Sequence, residues 1–155
     1  MDEAQAVLAE VLSEVLGSFA FSFGEVVEPG ECPQPDEPAL HATMSVSGGV
    51  RASVGLAAPV TLCGEFAANV LGVETVDEAA EAHASDALRE LLNITCGRFL
   101  TSLYGEEPVF DLGPPRAKEL DAAGWADLAG EAEVLAFLVE EKPLLAHVRL
   151  EATKR

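Results

Sequence analysis

Between Leu40 and Leu56 apolar and polar residues alternate on either side of a glycine pair, and no other stretch of the chain limits the fold as much. Leu40, Ala42, Met44 and Val46 fall on one face, with His41, Thr43, Ser45 and Ser47 on the other. A period of two is the repeat of a β-strand with one face buried and one face wet. Gly48-Gly49 can supply the positive φ angles of a two-residue turn, after which Val50, Ala52, Val54 and Leu56 resume the alternation opposite Arg51 and Ser53. The stretch therefore predicts a hairpin, and its apolar face needs a cover.

Helices can supply that cover. Val7, Leu8, Val11, Leu12, Val15, Leu16, Phe19 and Phe23 recur at spacings of three and four, predicting one amphipathic helix over about the first two dozen residues. Pro29, Pro33, Pro35 and Pro38 make 29–39 a Pro-rich loop, read as lying within one domain because the helix before it would not be stable alone. Pro59 is placed as the first residue of a second helix carrying Leu62, Cys63, Phe66, Val70 and Leu71, and Gly72 as its stop. Thr75 with Glu78 fits a capping box, and helical character persists to about Tyr104, where Gly105 ends it; Ser85 is a second candidate start within that span.

Val109 to Leu112 then predicts a short strand broken by Gly113-Pro114-Pro115, and residues 116–130 a polar, Ala-rich stretch with a short helix around Trp125. Val134 to Val139 is an apolar run suited to a central strand, and Leu144 to Leu150 alternate as a last one. The expected class is α+β: an antiparallel sheet with helices packed on one face, in the order α-β-β-α-α-β-β-β, as a single domain over 1–155. The last two strands raise an edge problem that a sheet-to-sheet homodimer would solve.

Charge narrows the partners. The chain holds 27 Asp or Glu against 9 Lys or Arg, a net charge of −18, which repels phosphate backbones and anionic lipid. No nucleic acid and no membrane is expected as a partner. Charged and Gly residues interrupt every apolar run before the roughly 20 residues of a membrane span, and the first basic residue is Arg51, so a cytoplasmic protein without a signal peptide is expected. Cys32, Cys63 and Cys96 form no Cys-x-x-Cys pair and are read as reduced, structural thiols. Hydrolase-elbow, Walker and dinucleotide-binding patterns do not occur.

One predicted helix can carry chemistry. At 100° per residue Asp86, Glu90, Asn93 and Gly97 fall within about 60° of one another, opposite Leu88, Leu91, Leu92, Thr95, Cys96, Phe99 and Leu103. A carboxylate and an amide thus face outward together. His83, Asp86 and Glu90 would also share a face as metal ligands, but a solvated stripe explains them equally, and the expected metal set is none.

Asp86-x-x-x-Glu90-x-x-Asn93, the following Gly97 and the doubled Pro114-Pro115 together resemble the signature of the CheC/CheX/FliY family of chemotaxis phosphatases, in its single-site CheX-like form. That resemblance implies a CheX-like fold and a phosphatase acting on the aspartyl phosphate of a response-regulator receiver such as CheY. It implies that Asn93 positions the attacking water, that Glu90 pairs with the receiver's active-site Lys, and that Asp86, Gly97 and Arg98 lie in the binding face. It also implies homodimers, and no cofactor in this chain, the Mg being carried by the partner receiver. Arg98 stands where many members have Asn, a departure that leaves open a non-catalytic CheX-like adaptor that only grips a receiver. An amide suits the catalytic role, because it can donate to a phosphoryl oxygen and accept from water without adding negative charge beside an anion.

Overall fold

A computed structural model describes residues 1–72 and 82–151 of the chain. The predicted hairpin is its centre. Strands β2 (Ala39–Gly48) and β3 (Arg51–Pro59) pair antiparallel from Ala39 opposite Pro59 to Val46 opposite Ala52. That register carries the turn through Val50, one residue further than expected, and of the two glycines only Gly48 takes a positive φ, +115°. Strand β7 (Lys142–Glu151) pairs with the other side of β3, β6 (Val134–Val139) with β7, and β1 (Gly24–Val27) with β6. On the far side of β2 lie β4 (Phe110–Leu112) and β5 (Arg116–Leu120), completing an antiparallel sheet of order β1-β6-β7-β3-β2-β4 with β5 also on β2. The α+β class is as expected.

Strand β1 corrects the sequence reading, in which the first helix ran on to Phe23. Helix α1 (Glu3–Ser18) stops at Ser18, and the Ser22 amide turns back to the Leu16 carbonyl at 2.8 Å. Gly24 then enters the sheet so closely that a Cβ there would lie 2.8 Å from Leu16 Cδ1 and 3.1 Å from Val139 Cγ2. Phe19 packs partly against the core, while Phe23 is exposed. With β1 present, β6 and β7 are both interior strands, so the edge on which the homodimer argument rested is already covered by the chain itself.

Among the described residues, three helices bury the inner face of the sheet. Leu8, Leu12 and Leu16 of α1, Leu62 and Phe66 of α2 (Val60–Leu71), and Leu88, Leu92 and Phe99 of α3 (Ala84–Tyr104) close on Leu56, Phe137 and Leu144 of the strands. Each such side chain contributes about 1.5–3 kcal/mol by leaving water. Pro59 precedes α2 as its cap and ends β3, one position before its predicted place, and Gly72 terminates the helix in the left-handed conformation at φ +73°. The capping box predicted at Thr75 and Glu78 lies outside the described residues. Helix α3 begins at Ala84, beside the candidate start at Ser85, and Gly105 caps it at φ +84°.

The reverse face has a cover of its own. The short helix α4 (Ala122–Ala129), capped by Asp121 accepting from the Gly124 amide, sets Trp125 and Leu128 on Ala39, Ala57, Val134, Ala136 and Leu145. Trp125 is therefore a packing residue, and this helix is added to the one-sided arrangement read from the sequence. No helix of the described residues is long and apolar enough to cross a membrane.

Strand β5 was not anticipated, because Arg116-Ala117-Lys118-Glu119-Leu120 reads as polar. Edge position explains it: such a strand needs few apolar side chains, and charged ones protect its free edge. Its register differs from that of β4. Val46 faces Leu112 and Thr43 faces Arg116, so Met44 and Ser45 of β2 are opposite three residues, Gly113, Pro114 and Pro115. That extra residue is a β-bulge, which bends the edge where neither proline could donate a ladder hydrogen bond. Gly113 anchors the bulge by donating its amide to the Ser45 carbonyl at 2.8 Å.

Candidate functional site

Helix α3 is mounted by its apolar stripe. Leu88, Leu91, Leu92, Thr95, Cys96, Phe99 and Leu100 are all buried against the sheet and the neighbouring helices. The Thr95 hydroxyl satisfies itself on the Leu91 carbonyl at 2.7 Å. A stripe so fully buried leaves the helix no freedom to roll, and the opposite stripe is fixed outward with it. Asp86, Glu90 and Asn93 are exposed on that stripe.

The bulge stands beside them. Asp86, Arg89, Glu90 and Asn93 of α3 and Pro114 and Pro115 of the bulge together line a shallow hollow of about 370 Å³. Three of the sequence-derived site residues, Asp86, Glu90 and Asn93, are thereby brought together with the doubled proline, about twenty positions further along the chain. The other two are not. Gly97 borders a separate hollow of about 180 Å³ with Leu100, Thr101, Phe110 and Leu112, and Arg98 is exposed outside both.

Charge in the hollow is organised around Asp86. Its carboxylate accepts from the Arg89 guanidinium one helical turn on, and His83 Nδ1 lies 3.5 Å from its other oxygen. The His83 and Arg89 hydrogen bonds hold the Asp86 carboxyl below its ordinary range. Asp86 is thus engaged within its own helix, while Arg89 places a cation in a hollow otherwise lined by carboxylates, an amide and prolines. Sequence reasoning missed Arg89; the Asp-x-x-Arg spacing, which pairs opposite charges along a helix, was the available signal. Among the described residues no group of three His, Cys, Asp or Glu side chains is arranged to hold a metal ion.

Comparison with known proteins follows the same lines. Residues 40–135 match the family model described as chemotaxis phosphatase CheX. No curated protein matches the chain in sequence. Among solved structures, the chain is similar to a chemotaxis protein CheX from Desulfovibrio desulfuricans, at 13% identity and TM-score 0.69, covering 97% of this chain and 100% of the other. It is similar to CheX from Vibrio vulnificus at 17% identity and TM-score 0.70, covering 97% of each. A third similar structure is the CheX-CheY-BeF3-Mg complex from Borrelia burgdorferi, at 18% identity and TM-score 0.65, covering 97% of this chain and 99% of that one.

Proposed function

The chain belongs to the CheX family of chemotaxis phosphatases, and from that premise we propose that it hydrolyses the aspartyl phosphate of a CheY-like receiver domain, with Asn93 and Glu90 as the residues that reach the partner. The observation that carries this reading is the placement of Asn93: its side chain is exposed on a helix whose opposite face is locked in the core, beside Glu90 and across from Pro114 and Pro115. The Borrelia burgdorferi relative, a CheX in complex with CheY, supports a receiver as the partner.

In this reaction a water oxygen attacks phosphorus in line with the aspartyl oxygen. The P–O bond to the receiver's carboxyl breaks, its electron pair staying on the carboxylate oxygen, which leaves a free carboxylate and inorganic phosphate as H2PO4−, carrying both protons of the water. Little covalent help is needed, and much positioning. The Asn93 amide donates through its NH2 to a phosphoryl oxygen and accepts from the water through its carbonyl, fixing the line of attack. Glu90, a turn earlier on the same face, offers a carboxylate to a lysine of the receiver. The receiver brings its own Mg2+, so no metal ligand is required of this chain.

The test follows phosphate loss from purified phosphorylated receivers with and without the protein. Acceleration by substoichiometric amounts, abolished in Asn93→Ala while receiver binding survives, is the expected result. Unchanged or slowed decay together with binding identifies a receiver-binding adaptor instead, and an Asn93→Ala protein as fast as wild type removes the mechanism.

A further inference from the structure

We propose that Arg89 is a second phosphoryl-binding group of the Asn93 hollow and that Asp86 is its positioning residue, an inference that rests on the receiver-phosphatase reading and extends it. Three observations carry it. Arg89 lines the same hollow as Asn93 and stands four residues before it, the spacing that makes neighbours on one helical face. In a chain of net charge −18 it puts a cation where a dianionic group is to be received. Its Nε, finally, is buried without a hydrogen-bond partner, although Nη2 is held by Asp86.

The unfilled donor separates this pair from an ordinary surface ion pair. An exposed i,i+3 pair leaves all of its N–H groups in water and contributes little. Here the Nε–H has lost water and gained no partner, so the resting rotamer is costly, and a turn of the partly exposed guanidinium toward an oxyanion in the hollow would give it the acceptor it lacks. Asp86, kept ionised by its own two hydrogen bonds, draws the guanidinium toward one end of the hollow and restricts its rotamers. As water attacks, negative charge spreads over the phosphoryl oxygens and the departing carboxylate oxygen. A planar, permanently charged fork beside Asn93 stabilises that charge more than it stabilises the resting acyl phosphate, and so it acts on kcat.

The experiment measures kcat and KM on one phosphorylated receiver for wild type, Arg89→Ala, Arg89→Lys, Asp86→Asn and Asn93→Ala. Alongside, it measures the affinity of each for that receiver with and without beryllofluoride, a mimic of the acyl phosphate. Arg89→Ala is expected to lower kcat by about 10- to 100-fold and to reduce the preference for the beryllofluoride form. Arg89→Lys, which keeps the charge and spares the fold, is expected to recover part of kcat, and Asp86→Asn to lose less than Arg89→Ala. Wild-type kcat and an unchanged preference in Arg89→Ala overturn the inference. So does a loss confined to KM and equal for both receiver forms, since that is plain docking. If Asn93→Ala is dead and Arg89→Ala is fully active, only the Arg89 inference falls; if wild type neither hydrolyses nor distinguishes the two receiver forms, the phosphatase reading falls with it.

Discussion

His147 Nε2 lies 2.9 Å from His41 Nε2, the two rings meeting edge to face across the intervening strand β3 at Gly55. Burial, the facing His41 ring and Arg149 together push the His147 imidazole down to about 4, with Glu133 opposing them weakly. Burial and Lys118 lower His41 as well. Both rings are thus neutral in the fold, one donating its single N–H to the other.

Acid sensitivity follows with a definite sign. His147 takes up a proton near pH 6.5 when unfolded and only near 4 when folded. Its contribution is complete above about pH 6.5 and is lost as pH falls toward 4, an effect of about 3 kcal/mol for a shift of this size. Denaturation midpoints measured from pH 7 to 4 should fall more steeply for wild type than for His147→Gln. Parallel curves would show that the pair is not titrating.

Gly55 is the position that lets the histidines meet. A Cβ there would lie 2.2 Å from His147 Nε2 and 3.1 Å from the Ala42 carbonyl oxygen. Gly55→Ala is expected to cost roughly 2–3 kcal/mol by overpacking. In a His147→Ala background the cost should largely vanish, because the ring it strikes is gone; a cycle of urea unfolding free energies on the four proteins decides this.

The thiols should react in a fixed order. Burial pushes Cys63 up to about 12 and Cys96 up to about 11, while half-buried Cys32 is raised less. Since the thiolate is the nucleophile, maleimide at neutral pH should label Cys32 of the native protein first and reach Cys63 and Cys96 only on unfolding. Mass spectrometry of briefly labelled peptides reads the order directly.

Glu90 should behave as a docking group. Glu90→Gln is expected to raise KM for the phosphorylated receiver by about 3- to 10-fold, to leave kcat nearly intact and to flatten the dependence of KM on salt, as loss of one exposed attraction would. A fall in kcat at unchanged KM would move Glu90 from docking into the chemistry.

Particular residues show how far the sequence could be read. Alternation from Leu40 to Leu56 located the central hairpin because a half-buried strand must repeat every two residues wherever it lies in the sheet. Asn93 and Glu90 were placed on the wet face of their helix by the apolar residues on the other side, and that is where they stand. Strands β1 and β5 escaped notice for one reason: at an edge, backbone pairing stabilises a strand whose side chains carry no strong pattern. Phe19 and Phe23 fitted the helical period only by coincidence of spacing, since the chain has already left the helix at Ser18.

What the sequence determined by itself was therefore local and periodic: the hairpin, the helices with their glycine stops, and the outward pairing of a carboxylate with an amide. The tertiary structure alone decided what meets what. It set the bulge between β4 and β5 that carries Pro114 and Pro115 to Asn93, brought His147 over Gly55 to His41, put α4 on the reverse face, and left Gly97 and Arg98 outside the hollow. These depend on register and close packing between segments far apart in the chain, and a one-residue shift in register would undo them without changing a single local preference.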